Sequence, residues 1–343
     1  MNPRCTESLA FLEILALAMA AGFGAIWGSF LNVCIARIPR GMSVVRPPSH
    51  CFACGSRVLA RDNIPILSYF LLRGRCRHCG ARFSIRHAAV EALTGGISVL
   101  ILWHFVLEAP GVPLGVRVAR YAVYFAFAAV LVVLTFIDFD TKRLPDLITL
   151  PSVVGFFLGG FATGEVVWLD RAIGAVAGYA LVRLIADAYY YSTGREGLGL
   201  GDGKLLAFMG ALLGWKALPP IVCAASFVGI LVSVPTLLVQ RRRQRAAVAA
   251  APAAKVAMAP PAGDAVAVEP PVGGEVAAAP PAAVPASGDG AAAAPASEPS
   301  PPVPISIRRA EVPFGPFLSA SALAYLFLHR WVWSLIEHAL LGG

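Results

Sequence analysis

Apolar residues in this chain come in long runs, separated by short polar segments rich in arginine. Runs near the roughly 20 residues needed to cross a hydrocarbon core predict transmembrane helices. Spans are expected at about 9–34, 88–107, 118–137, 147–162, 171–191 and 219–239, with a shorter one at 205–218 and a last one from near 314. The expected fold class is an all-α polytopic membrane protein of about eight transmembrane helices. A signal peptide cleaved after Ala18-Met19-Ala20 is the rival reading of the first run. The apolar stretch continues through "FGAIWGSFLNV", too far for a signal sequence.

Two segments break the pattern. Residues 36–87 are polar and basic. Residues 246–304 are Ala, Pro, Gly and Val with scattered acids. Alanine favours helix there, but frequent prolines interrupt it, so the stretch reads as a disordered linker. The expected domains are a first span (1–35), a small insert (36–87), a membrane core (88–245), the linker (246–304) and a last span (305–343).

Composition agrees with a membrane protein: 57% of the 343 residues are hydrophobic and 14% charged. The net charge of +8 is informative through its placement. Basic residues cluster between Arg37 and Arg86, at Lys142 and Arg143, at Arg195 and Lys204, at Arg241 to Arg245, and at Arg308 and Arg309. Alternate loops are poor in them. Positive loops stay cytoplasmic, which puts the N-terminus outside in the periplasm and the insert in the cytoplasm. No basic face interleaved with aromatics occurs, so the expected partner is the lipid bilayer and not nucleic acid.

The insert carries four of the seven cysteines, as "CFAC" at Cys51 and Cys54 and "CRHC" at Cys76 and Cys79, each pair followed by glycine. A two-residue spacing lets both thiolates of a knuckle meet one ion, and glycine relieves the turn behind them. Two such pairs read as a zinc-ribbon-like site, although the spacing does not separate zinc from iron. Two disulfides are the alternative, and a reducing cytoplasm opposes them. A closed four-thiolate site is structural, and metal would hold folded a segment too small to build much core. His50 and His78 read as bystanders. Cys5, Cys34 and Cys223 read as packing residues.

The acids that could carry chemistry are Asp138, Asp140 and Asp146 in "FIDFDTKRLPD" and Asp202 in "GLGLGDGK". Both segments lie at the cytoplasmic ends of spans. The glycine tract is no P-loop, since Leu198 and Leu205 stand where glycine and Ser or Thr are needed. It also misses the dinucleotide spacing, and "DFDTKRLPDL" fails as a calcium loop at Lys142. What survives is an aspartyl pair. Two close carboxylates share a proton, so one acts as base toward water while the other polarises a peptide carbonyl. The glycines around Asp202 would let a substrate backbone approach and delay the helix start. Lys204 reads as a snorkelling interface residue. Composition does not choose among the three acids of the first segment.

In order, "GSFLNVCIARIPRG", "CFACG", "NIPILSYFLLRGR", "CRHCG", "IRHAAVEALTG", "FIDFDTKRLPDLITLP", "GLGLGDGKLLAFMGALLGW" and "VPFGPFLSASALAY" resemble the type IV prepilin peptidases. The resemblance covers nearly the whole chain except the linker, which looks like an insertion. It implies a multi-pass inner-membrane aspartic endopeptidase that cuts the leader of prepilins or type II secretion pseudopilins after a glycine on the cytoplasmic face. It implies N-methylation of the new terminus from S-adenosyl-L-methionine, and contacts with pilus or secretion machinery. By the same resemblance the catalytic pair maps onto Asp138 and Asp202, with Asp140 and Asp146 the weaker candidates. The competing readings are a G-x-G-D protease with another membrane substrate, a non-catalytic zinc-bearing scaffold, and an ion pathway.

Overall fold

A computed structural model describes residues 3–109, 111–194, 199–250 and 313–341. Every expected span has a helix on it: α1 (Pro3–Arg37), α3 (Arg86–Leu102, extended by one π-helical segment, Trp103–Leu107), α4 (Leu114–Thr141), α5 (Asp146–Thr163), α6 (Trp168–Thr193), α7 (Leu200–Leu213), α8 (Leu218–Ala250) and α9 (Gly315–Leu341). A short α2 (Leu67–Leu71) lies in the insert. Six of these helices, α1, α3, α4, α5, α6 and α8, are long and apolar enough to cross a membrane. The other two expected spans are shorter: α7 has 14 residues, and the apolar part of α9 is Gly315–His329. By compactness the chain divides into Met1–Ser233 with Val312–Gly343, and Val234–Glu311. In the second unit, α8 stays helical to Ala250, inside the stretch expected as linker. Residues 251–304 lie outside the described residues.

Local chemistry sets the helix ends near the acids. Lys142 adopts the left-handed conformation (φ 52°) and its N–H caps α4 by donating to the Asp138 carbonyl at 2.9 Å. Pro145, which cannot continue a helix but can begin one, then opens α5 with Asp146 in its favourable first turn. The chain therefore turns back directly after Asp138.

Between membrane helices the attraction is close packing, since lipid is as apolar as leucine. Small residues provide it. On α1, a Cβ at Gly24 would lie 2.6 Å from the Ser98 Cβ of α3. On α7, a Cβ at Gly210 would lie 2.2 Å from the Gly174 carbonyl oxygen of α6. Phe127 of α4, Phe156 of α5 and Phe208 of α7 meet with ring centroids 4.8 to 5.6 Å apart. Leu205 through Leu212 are all buried, so α7 is wrapped by protein along most of its length.

Toward the other end of α4, about 27 Å from Asp138 at 1.5 Å per residue, several polar groups find partners. Arg120 bridges Glu165 at 3.2 Å, and the Tyr124 hydroxyl donates to the same carboxylate. Arg171, 2% exposed, donates to the Phe157 carbonyl at 2.8 Å and lies 4.3 Å from the Phe161 ring. A carbonyl and a π-face are what such a buried cation can use.

Candidate functional site

The two C-x-x-C segments fold as matching knuckles. The Cys51 N–H donates to the Ser56 carbonyl and the Gly55 N–H to the Cys51 carbonyl, at 2.9 and 2.8 Å. Cys76, Ala81 and Gly80 repeat the pattern at 2.8 and 2.9 Å. Gly55 and Gly80 take φ of 69° and 70°, which only glycine adopts without strain. Ligand atoms of all four cysteines fall within 4.8 Å of one another, and Cys51 Sγ and Cys79 Sγ are 3.8 Å apart. Sulfurs about 2.3 Å from a tetrahedral zinc are about 3.8 Å apart, so the residues fit that ion. Cys54 is pulled down to about 6, first by the Ser56 hydroxyl and then by its backbone N–H. Backbone N–H groups of Cys79 and His78 lower Cys76 as well. Both shifts favour the thiolate, the form that binds metal, whereas Cys79 goes up to about 11: the Ala81 N–H lowers it, but the neighbouring thiols, Cys54 first, raise it. The possible ligand group holds the four cysteines and neither His50 nor His78. Cys34 is buried, but Cys223 is exposed on α8 and does not pack inside the protein. The side chain of Cys5 lies outside the described residues.

One bond joins α1 to α3, and a second ties the insert to α3. Asn32 of α1 donates to the His87 carbonyl at 3.0 Å. Glu91 of α3 accepts the Ile66 N–H at 2.7 Å. Ile66 has φ 63° and ψ −55°, and the Leu67 N–H reaches the Pro65 carbonyl at 2.6 Å, which makes a γ-turn. Between α1 and the insert lies a groove of about 640 Å³ lined by Asn32, Arg37, Tyr69, His87 and Glu91 among others. That volume is typical of small-molecule sites.

The four acids separate by environment. Asp140 is exposed and pairs with Arg86 at 2.7 Å; the same guanidinium donates to the Phe136 carbonyl and lies 4.7 Å from its ring. Asp146 is exposed and pairs with Lys204. Lys204 thus holds α7 to the start of α5 and is not simply a snorkelling side chain. Asp138 is 6% exposed in the last turn of α4, and its Oδ2 is buried without a hydrogen-bond partner among the described residues. Such an orphaned acceptor costs about 1–3 kcal/mol and calls for a functional or structural reason. Asp202 is half-buried in the first turn of α7. The helix starts at Leu200, so Asp202 is inside it and not ahead of it. Of the flanking glycines, Gly203 packs tightly, since a Cβ there would meet Val182 at 3.2 Å, whereas one at Gly201 would make ordinary contact with Leu144 at 3.4 Å. Sequence reasoning passed over Arg86, which was counted only among the basic residues. It also passed over Gly315, where α9 begins against Asp138. The motif "PFGPF" was the available signal for the latter.

These features define a polytopic membrane protein with a tetrathiolate knuckle and acids gathered at one end of its helices. Two family profiles match it: the bacterial peptidase A24 N-terminal domain over residues 23–105, and the type IV leader peptidase family over residues 125–234. The chain is 34% identical to a prepilin leader peptidase/N-methyltransferase of Myxococcus xanthus (strain DK1622) over 331 residues, 94% of this chain and 90% of the relative. Proteins of the same description from Aeromonas hydrophila and Neisseria gonorrhoeae are 38% and 34% identical, covering 65% and 66% of this chain and 81% and 85% of the relatives. No solved structure gives a significant match. The chain belongs to the type IV leader peptidase family and is an enzyme.

Proposed function

We propose that the protein is an aspartyl endopeptidase. It removes the leader of type IV prepilins or type II secretion pseudopilins after a glycine, at the cytoplasmic face of the inner membrane. It then methylates the new N-terminus from S-adenosyl-L-methionine. The single observation carrying the peptidase reading is the sorting of the acids. Exposed Asp140 and Asp146 pair with Arg86 and Lys204, whereas buried Asp138 and half-buried Asp202 have no ion-pair partner among the described residues. One carboxylate of the pair takes a proton from water attacking the scissile carbonyl. The other, protonated, donates to the carbonyl oxygen as charge develops there. The methyl-transfer step follows from the relatives, whose description joins the two activities. Cys51, Cys54, Cys76 and Cys79 hold a zinc ion with no open position, so its part is to keep the insert folded.

The test is cleavage of a prepilin by the purified protein in detergent. Asp138→Asn and Asp202→Asn are each expected to lose on the order of 10²-fold or more in rate. Asp140→Asn and Asp146→Asn should stay within about tenfold, because each removes only a surface ion pair. Wild-type rates in either member of the first pair would end the dyad reading. Failure of the wild type on prepilins, with cleavage of other membrane peptides, would keep the dyad and change the substrate.

A further inference from the structure

The first residue of α9 stands against the Asp138 carboxylate. A Cβ at Gly315 would lie 2.6 Å from Asp138 Oδ2 and 3.3 Å from its Cγ. Real side chains do not approach that closely, so any other residue displaces either the carboxylate or the start of α9. Neither has slack. Ile137 beside Asp138, and Leu318 in the next turn of α9, are both 0% exposed, and Phe314 and Phe317 pack on the same core. Close-packed interiors transmit such a displacement. The backbone gives no separate reason for glycine, since Gly315 is the first residue of an α-helix and is not among the positive-φ glycines.

We propose that Gly315 is a positioning residue of the peptidase site. Its missing side chain lets the first turn of α9 close over Oδ2 and hold the Asp138 carboxylate in the orientation that meets Asp202. This rests on the aspartyl-pair reading above. It also assigns α9 a part in the reaction: the helix is a wall of the site.

The experiment compares wild type, Gly315→Ala, Asp138→Asn and Gly229→Ala as purified proteins, measuring prepilin cleavage, KM and thermal midpoint. Gly229 is the control, because a Cβ there makes only ordinary contact, 3.5 Å from Phe317. Gly315→Ala is expected to lose on the order of 10²-fold in kcat, the scale of a displaced reacting group, with KM and midpoint unchanged. Gly229→Ala should cleave normally. Unchanged kcat in Gly315→Ala overturns the proposal while Asp138→Asn still reports on the pair itself. If Gly315→Ala instead lowers the midpoint, the same change is made in Asp138→Ala, where the clash is gone. There it should cost no stability, and a further loss would overturn the proposal by showing that another contact is responsible.

Discussion

Asp138, Asp140 and Asp146 share one short segment and meet three environments. What separates them is the partner each finds: Arg86 lies 54 residues from Asp140 in sequence, and Lys204 lies 58 from Asp146. The same logic governs Asp62 in the insert. Its carboxylate accepts from the Arg77 guanidinium at 2.9 and 3.0 Å, and that hydrogen bond holds it below the usual carboxylate range. A depressed folded value means the pair contributes fully above the unfolded value of about 3.9 and is lost as pH falls through the lower folded value. Asp62→Asn should therefore speed amide exchange across residues 59–74 at pH 7. The gap from wild type should close as pH drops below about 4. An unchanged exchange rate at pH 7 would mean the pair does not brace the insert. The sequence identified the candidate acids because charge at a span's end stands out. It did not choose among them, because an ion pair joining helices this far apart leaves no trace in local spacing.

Helices were legible because each apolar run is long and its ends carry proline, glycine or arginine. The close approaches were not, because a glycine facing a neighbouring backbone and a glycine facing lipid read alike. Gly210 and Gly96 illustrate the difference. The first has the Gly174 carbonyl 2.2 Å from its would-be Cβ, and the second has nothing within 4 Å. Gly210→Ala is expected to cost about 1–3 kcal/mol or more by overpacking α6 against α7. Gly96→Ala should be neutral or stabilising by up to about 1 kcal/mol, as alanine is the better helix former. Thermal denaturation in detergent compares the two, and equal midpoints would mean the α6–α7 contact yields freely. The length of α7 was also ambiguous. An apolar stretch of 10–14 residues reads equally as a short span or as a buried helix, and burial of Leu205 through Leu212 assigns it to the interior.

Across the molecule, the knuckle and the helices are held by different means. The insert has its four-cysteine knuckle and the Ile66–Glu91 tie to α3, whereas the helices meet through close contacts of small residues. Replacing Cys51 and Cys76 by serine should leave the far-ultraviolet helical signal nearly unchanged while opening residues 42–82 to proteolysis. Protease resistance equal to wild type would show that the insert folds without its ion.

The enclosure of α7 also bears on how the chain is made. Fourteen residues, with Asp202 and Lys204 in the first turns, are a poor substrate for direct partition into lipid during synthesis. The glycine contact with α6 provides the alternative route. α7 is expected to enter as the second arm of a hairpin anchored by α6, since Gly210 of α7 and Gly174 of α6 make close contact. On that route Asp138 and Asp202 are expected to meet only once α7 has settled, and a nascent chain that ends before α7 lacks half of the proposed pair.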